Sequence, residues 1–113
     1  RCRWFESYSH EALPQLLRES GEGSFDLCFV DGMHLFDFTL VDMFFAARLV
    51  RPGGVIVLDD IKHRGVGACQ AYIASNWAHF LRLIPNTKSA DTSATYLVTG
   101  KDARTWDFHA PFD

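Results

Sequence analysis

The sequence contains no Gly-x-Gly-x-x-Gly, no Walker-type phosphate loop and no nucleophile-elbow serine, which removes the commonest signatures of dinucleotide, nucleotide and serine-hydrolase chemistry. It has no apolar run long enough to span a bilayer, so no membrane partner is expected. Basic residues are not in excess: 11 Lys and Arg stand against 14 Asp and Glu, a net charge of -3. A surface for nucleic acid is therefore not expected. Cysteine is scarce, and Cys2, Cys28 and Cys69 form no C-x-x-C pair. Cys28 falls in an apolar strand and Cys69 in a helical pattern, where both read as small buried residues. No charged-then-apolar leader opens the chain, so no secretion signal is expected, and a reducing, cytoplasmic setting fits. There is no internal repeat, linker or low-complexity tract.

What is present is apolar: 48% of 113 residues, enough for the core of one small domain over residues 1–113. Residues 2–6 suit a short strand. Ser9 then N-caps a helix near 10–20, with Leu13, Leu16 and Leu17 on one face and a stop at Gly21. Phe25–Asp31 is the clearest strand, and its continuously apolar centre predicts a parallel strand covered on both faces. A helix near 35–50 follows, ended by Arg51-Pro52-Gly53-Gly54. Val55–Leu58 is a second buried strand and runs into Asp59-Asp60. A third helix spans about Gly65–Trp77. Phe80–Ile84 and Ala94–Thr99 are strands joined by a polar loop containing Pro85 and Asn86, too short for a helical crossover and hence antiparallel. The aromatic tail Arg104–His109 is expected to pack back on the body. Helices alternating with buried strands give an α/β fold with right-handed crossovers.

Ligands of open parallel sheets bind beyond the carboxyl ends of the strands. Two strands here end in acid, one at Asp31 and one at Asp59 and Asp60. Neighbouring strands lie about 4.8 Å apart, so three carboxylates converge on one rim. Such a cluster calls for protons or a cation, and Mg²⁺ prefers oxygen ligands of this kind. An aspartate after a strand also caps the next helix, and that reading of Asp31 or Asp60 stays open. His34, three residues past Asp31, is a candidate general base on a substrate hydroxyl or else a solvent-facing residue at a helix start. His63 and Arg64 lie in the loop after Asp60, within reach of a substrate or simply on the surface. Asp37 and Asp42 read as solvated helix residues. Gly65-Val66-Gly67 reads as a helix start.

The stretch Phe25–His34, with Val30-Asp31-Gly32-Met33-His34, and the stretch Leu49–Asp60, with Arg51-Pro52-Gly53-Gly54 and Asp59-Asp60, together resemble class I S-adenosylmethionine-dependent methyltransferases. The resemblance is narrower to the group with an "IDG-x-H" strand end, an "L-R-P-G-G" turn and a "DD" strand end. Small-molecule O-methyltransferases of the macrocin type belong there, and the catechol and caffeoyl-CoA types are more distant. It covers roughly residues 3–100. It implies a three-layer, doubly wound Rossmann-like sheet of order 3-2-1-4-5-7-6, mostly parallel with an antiparallel C-terminal pair. By resemblance, residues 2–6 are the third strand, 26–31 the fourth and 55–58 the fifth.

The resemblance further implies S-adenosylmethionine as cofactor. Ser7, Tyr8 and Ser9 would lie near its adenine, with Asp31, Gly32, Met33 and His34 completing what remains of the pocket. It implies a metal, Mg²⁺, on Asp31, Asp59 and Asp60, with His34 as the catalytic base toward a small-molecule acceptor. The first two strands of that family, with the glycine-rich turn and the ribose-binding acid, have no counterpart here. The chain is thus expected to be the C-terminal part of such a domain, an incomplete sheet whose apolar 26–31 edge invites homo-oligomerisation. A non-catalytic remnant serving as a binding or assembly module is the alternative. A nicotinamide-dependent oxidoreductase would need a Tyr-x-x-x-Lys pair, which is absent.

Overall fold

The computed structural model describes residues 2–85 and 92–113. Helix α1 (Ser9–Ser20) is followed by β1 (Phe25–Val30), α2 (Phe36–Leu49), β2 (Val50–Leu58), α3 (Arg64–Asn76), β3 (Leu81–Ile84) and β4 (Ala94–Val98). The sheet order is β1-β2-β4-β3, with β1 and β2 parallel and both β4 pairings antiparallel. This is the 4-5-7-6 order expected of the last four strands, in an α/β sheet that is open at both edges. Asn86, assigned to the loop before β4, lies outside the described residues.

Cross-strand register divides the sheet into two faces. Cys28, Ile56 and Tyr96 form one row, and Val30, Leu58 and Ala94 the next. These rows meet Met43 and Ala46 of α2 and Val66, Cys69 and Ile73 of α3 in a single core with Trp77 and Phe80. Fully burying a side chain such as Ile56 or Leu58 contributes about 1.5–3 kcal/mol. The opposite face carries the rows Leu27–Val55–Leu97 and Phe29–Val57–Thr95. No described helix covers it, and Leu27 and Phe29 are 60% and 58% exposed. The apolar centre of β1 therefore does not mean burial on both faces: α2 and α3 pack against the other side, and only Val30 of this strand is buried.

Residues 2–6 form no strand, because no neighbouring strand offers them a ladder. They are instead tied to α1 by an Arg3–Glu19 ion pair at 2.7 Å, and Trp4 stands in solvent. The turn Arg51–Gly54 is a bulge inside β2 rather than a break before it. Phe25 pairs with Val50 and Leu27 already with Val55. Gly54 is required there, since a Cβ would sit 2.5 Å from the Val50 side chain and 2.8 Å from the Asp26 carbonyl oxygen.

The tail does pack back, through Arg104 of the expected segment, which donates to the Tyr72 hydroxyl at 3.3 Å and lies over Trp77 and Phe80, and through residues beyond it. Buried Asn76 donates to the Ala110 carbonyl at 2.9 Å and accepts from its N–H at 2.8 Å, and Phe112 stacks on Phe36. Trp106 is 97% exposed. Cys69 is fully buried, Cys28 partly, and Cys2 is exposed. Burial pushes the Cys69 thiol up to about 12, consistent with its structural role. Among the described residues no helix is long and apolar enough to cross a membrane.

Candidate functional site at the carboxyl rim of the sheet

Parallel pairing of β1 with β2 brings their carboxyl ends side by side, and the Asp59 N–H donates to the Val30 carbonyl at 2.9 Å. The chain on either side of that bond supplies Asp31, Asp59 and Asp60. Each offers a carboxylate oxygen, and the three oxygens lie within 4.8 Å of one another. Desolvation and then the charges of Asp59 and Asp60 raise the Asp31 carboxyl above its ordinary range, partly opposed by His34. The three acids expected at one rim are thus together there.

Asp60 also has a left-handed backbone, φ 58°, an uncommon conformation for a non-glycine residue. The His63 N–H closes the turn by donating to the Asp60 carbonyl at 3.1 Å. Asp60 Oδ2 lies 2.8 Å from His34 Nε2, and the His34 and His63 rings stack with centroids 3.8 Å apart. His63 had no clear assignment in the sequence, because loop closure over 29 positions, from 34 to 63, is not encoded locally. Arg64, by contrast, is an exposed residue of the first turn of α3.

Beside this rim a cleft of about 400 Å³ is lined by Ser7, Tyr8, Ser9, Asp31, Gly32 and Met33 among others. Six of the seven residues expected around the cofactor therefore share one cavity, while His34 stands next to it. Ser9 does not cap α1. Tyr8 occupies the cap position, and its carbonyl accepts from the N–H groups of Glu11 and Ala12. The Ser9 hydroxyl instead donates to Asp42 Oδ1.

Asp42 is accordingly not a solvated helix residue. It lines the cleft half-buried, and burial raises its carboxyl above the usual range. The available signal was a lone acid in the apolar run Leu40–Phe45, one helical turn after Phe38, which lines the same cleft. His10, which has no motif context in the sequence, lines the same cleft. It stacks on Tyr8 with ring centroids 5.3 Å apart. A second cleft of about 470 Å³, at the opposite end of the sheet, is lined by Arg48, Pro52, Phe80 and Asp102. It lies at the amino ends of β1 and β2, away from the rim where open α/β sheets bind ligands.

A family model of the methyltransferase domain matches residues 1–61, which takes in the cleft, Asp31, His34, Asp59 and Asp60. The chain belongs to the methyltransferase-domain family. That family's chemistry is methyl transfer with S-adenosylmethionine as the methyl donor. None of the curated proteins matches the chain.

Proposed function

We propose that this methyltransferase domain acts on an oxygen of a small molecule, with the cleft for S-adenosylmethionine and the adjoining rim for the acceptor. The observation that carries the reading is the juxtaposition of the cleft at Tyr8 and Asp31 with the His34–Asp60 pair. The cleft residues fit the donor. Tyr8 presents an exposed ring for a flat base, and Asp42 and Ser9 offer polar partners for hydroxyl groups. Gly32 keeps the wall clear, since a Cβ would stand 2.9 Å from Asp42 Oδ2.

S-adenosylmethionine, when bound, supplies an electrophilic methyl group on its sulfonium. The protein's own task is to present a nucleophilic oxygen. When Asp60 accepts from the His34 Nε2–H, the imidazole lone pair is fixed on Nδ1, the atom that takes the acceptor's hydroxyl proton. Asp60 thereby stabilises the imidazolium that forms. Asp31, Asp59 and Asp60 are the residues that would hold Mg²⁺, whose chemistry is to lower the pKa of a bound hydroxyl. Their mutual repulsion supports this assignment, because a cation relieves it.

A second reading, a non-catalytic binding or assembly module, is favoured by the open apolar face at Leu27 and Phe29. One experiment separates the two: calorimetric titration of the chain with S-adenosylmethionine, with and without Mg²⁺. Micromolar binding, weakened by Tyr8→Ala, is the expected result. A folded chain that binds no S-adenosylmethionine would overturn the enzymatic reading and leave the module.

A further inference from the structure

The rim holds a second group of donors, chemically distinct from the three carboxylates. His34, Asp60 and His63 each bring one ligand atom within 4.8 Å of the others. Two imidazoles and one carboxylate form a donor set that hard Mg²⁺ does not seek, and one that suits zinc, cobalt, nickel or ferrous iron. An ion with bonds near 2.1 Å needs donors roughly 3.4 Å apart in tetrahedral geometry. Side-chain exposures of 41% for His34 and 36% for Asp60 leave both free to rotate that far.

The backbone shows that the meeting of the two histidines is built in. His34 follows β1 and His63 precedes α3, and their loops touch at Gly65. A Cβ at Gly65 would lie 2.3 Å from the His34 carbonyl oxygen and 2.9 Å from the Phe36 nitrogen, so only glycine lets the loops approach this closely. The left-handed Asp60 then turns the chain so that His63 comes back over His34. Asp31 and Asp59 stand beside the group and add negative potential that favours a cation.

We propose that His34, Asp60 and His63 form a nitrogen-containing site for a borderline divalent transition metal, Zn²⁺ or Co²⁺ in the first instance, overlapping the all-oxygen group at Asp60 alone. Asp60 belongs to both groups, so the two kinds of ion compete for it. A metal on His34 also occupies a ring nitrogen of that histidine, so the transition metal opposes proton transfer where a hard ion leaves the imidazole free.

The test titrates the chain with Zn²⁺ and Mg²⁺ by calorimetry and with Co²⁺ by visible absorption. The expected result is that His63→Ala weakens Zn²⁺ binding by roughly tenfold or more and abolishes the Co²⁺ ligand-field band, with Mg²⁺ binding unchanged. His34→Gln behaves likewise. Because His63 is exposed, its variant keeps the parent's circular dichroism. Zn²⁺ and Co²⁺ binding that survives the loss of His63 would overturn the proposal, since the ion would then sit on other surface histidines. Equal weakening of Zn²⁺ and Mg²⁺ would overturn it too. A chain that binds Zn²⁺ through His63 but no Mg²⁺ would sustain this site while removing the all-oxygen one.

Discussion

Carboxylates stand at both ends of this sheet, three together at one and a single one among arginines at the other. At the carboxyl rim, Asp31, Asp59 and Asp60 face one another with no described Arg or Lys paired to them, and the Asp31 carboxyl is pushed up. At the amino rim, Asp102 accepts from Arg104 at 2.6 and 2.8 Å and lies 3.4 Å from Arg48. The Arg104 hydrogen bonds hold its carboxyl down, at about 2. Like charges left together cost stability, and a fold keeps them where something else is gained. Opposite charges in a forked, half-buried arrangement stabilise the fold and need no ligand. The two rims thus shift their carboxyls in opposite directions, up at Asp31 through burial and like charge and down at Asp102 through its arginine partners.

The largest expected effect tests the first half of that contrast. His34→Gln lowers the rate of methyl transfer to an oxygen acceptor about 10²–10⁴-fold, whereas Asp102→Asn leaves the rate of the folded protein near that of the parent. Initial rates with labelled S-adenosylmethionine measure both. If the two variants lost activity equally, the rims would not differ in role.

The next effect reverses the comparison. Asp102→Ala costs about 1–2 kcal/mol in urea unfolding, because it strands Arg104 and Arg48. The pH dependence follows from the sign of the shift. The folded-state value of about 2 lies below the ordinary 3.8, so the folded form holds this proton less tightly than the unfolded chain. The stabilisation is complete above about pH 4 and is lost as the pH falls through about 2. Acid unfolding followed by circular dichroism should show this window in the parent and not in Asp102→Asn.

The smallest effect has the opposite sign. Asp31 has a raised carboxyl, so its ionisation works against the folded state as the pH rises through that value. Asp31→Asn should raise the thermal midpoint slightly at pH 7 while weakening Mg²⁺ binding. A lower midpoint would mean that the three acids do not repel one another in solution.

Much of the positioning was legible because it is local. The β1 and α2 boundaries follow from the apolar run Phe25–Val30 and the pattern around Leu40, Val41 and Phe44. The acids at both strand ends follow from parallel pairing alone. What escaped depends on distant partners. Residues 2–6 have strand-like composition and no strand beside them. The Arg51–Gly54 bulge is visible only once Phe25 is known to pair with Val50. Asp42 lines a cleft because Ser9 of another helix reaches it, and His63 joins the rim because Gly65 lets two loops touch.

The burial of Trp77 among Tyr72, Phe80 and Arg104 has an optical consequence. Trp4 and Trp106 are 83% and 97% exposed, so their emission already comes from an aqueous environment. Replacing both by phenylalanine would leave a single tryptophan at the heart of the core. Its spectrum would move to longer wavelength only when that core opens, which gives a label-free signal for each of the stability comparisons above.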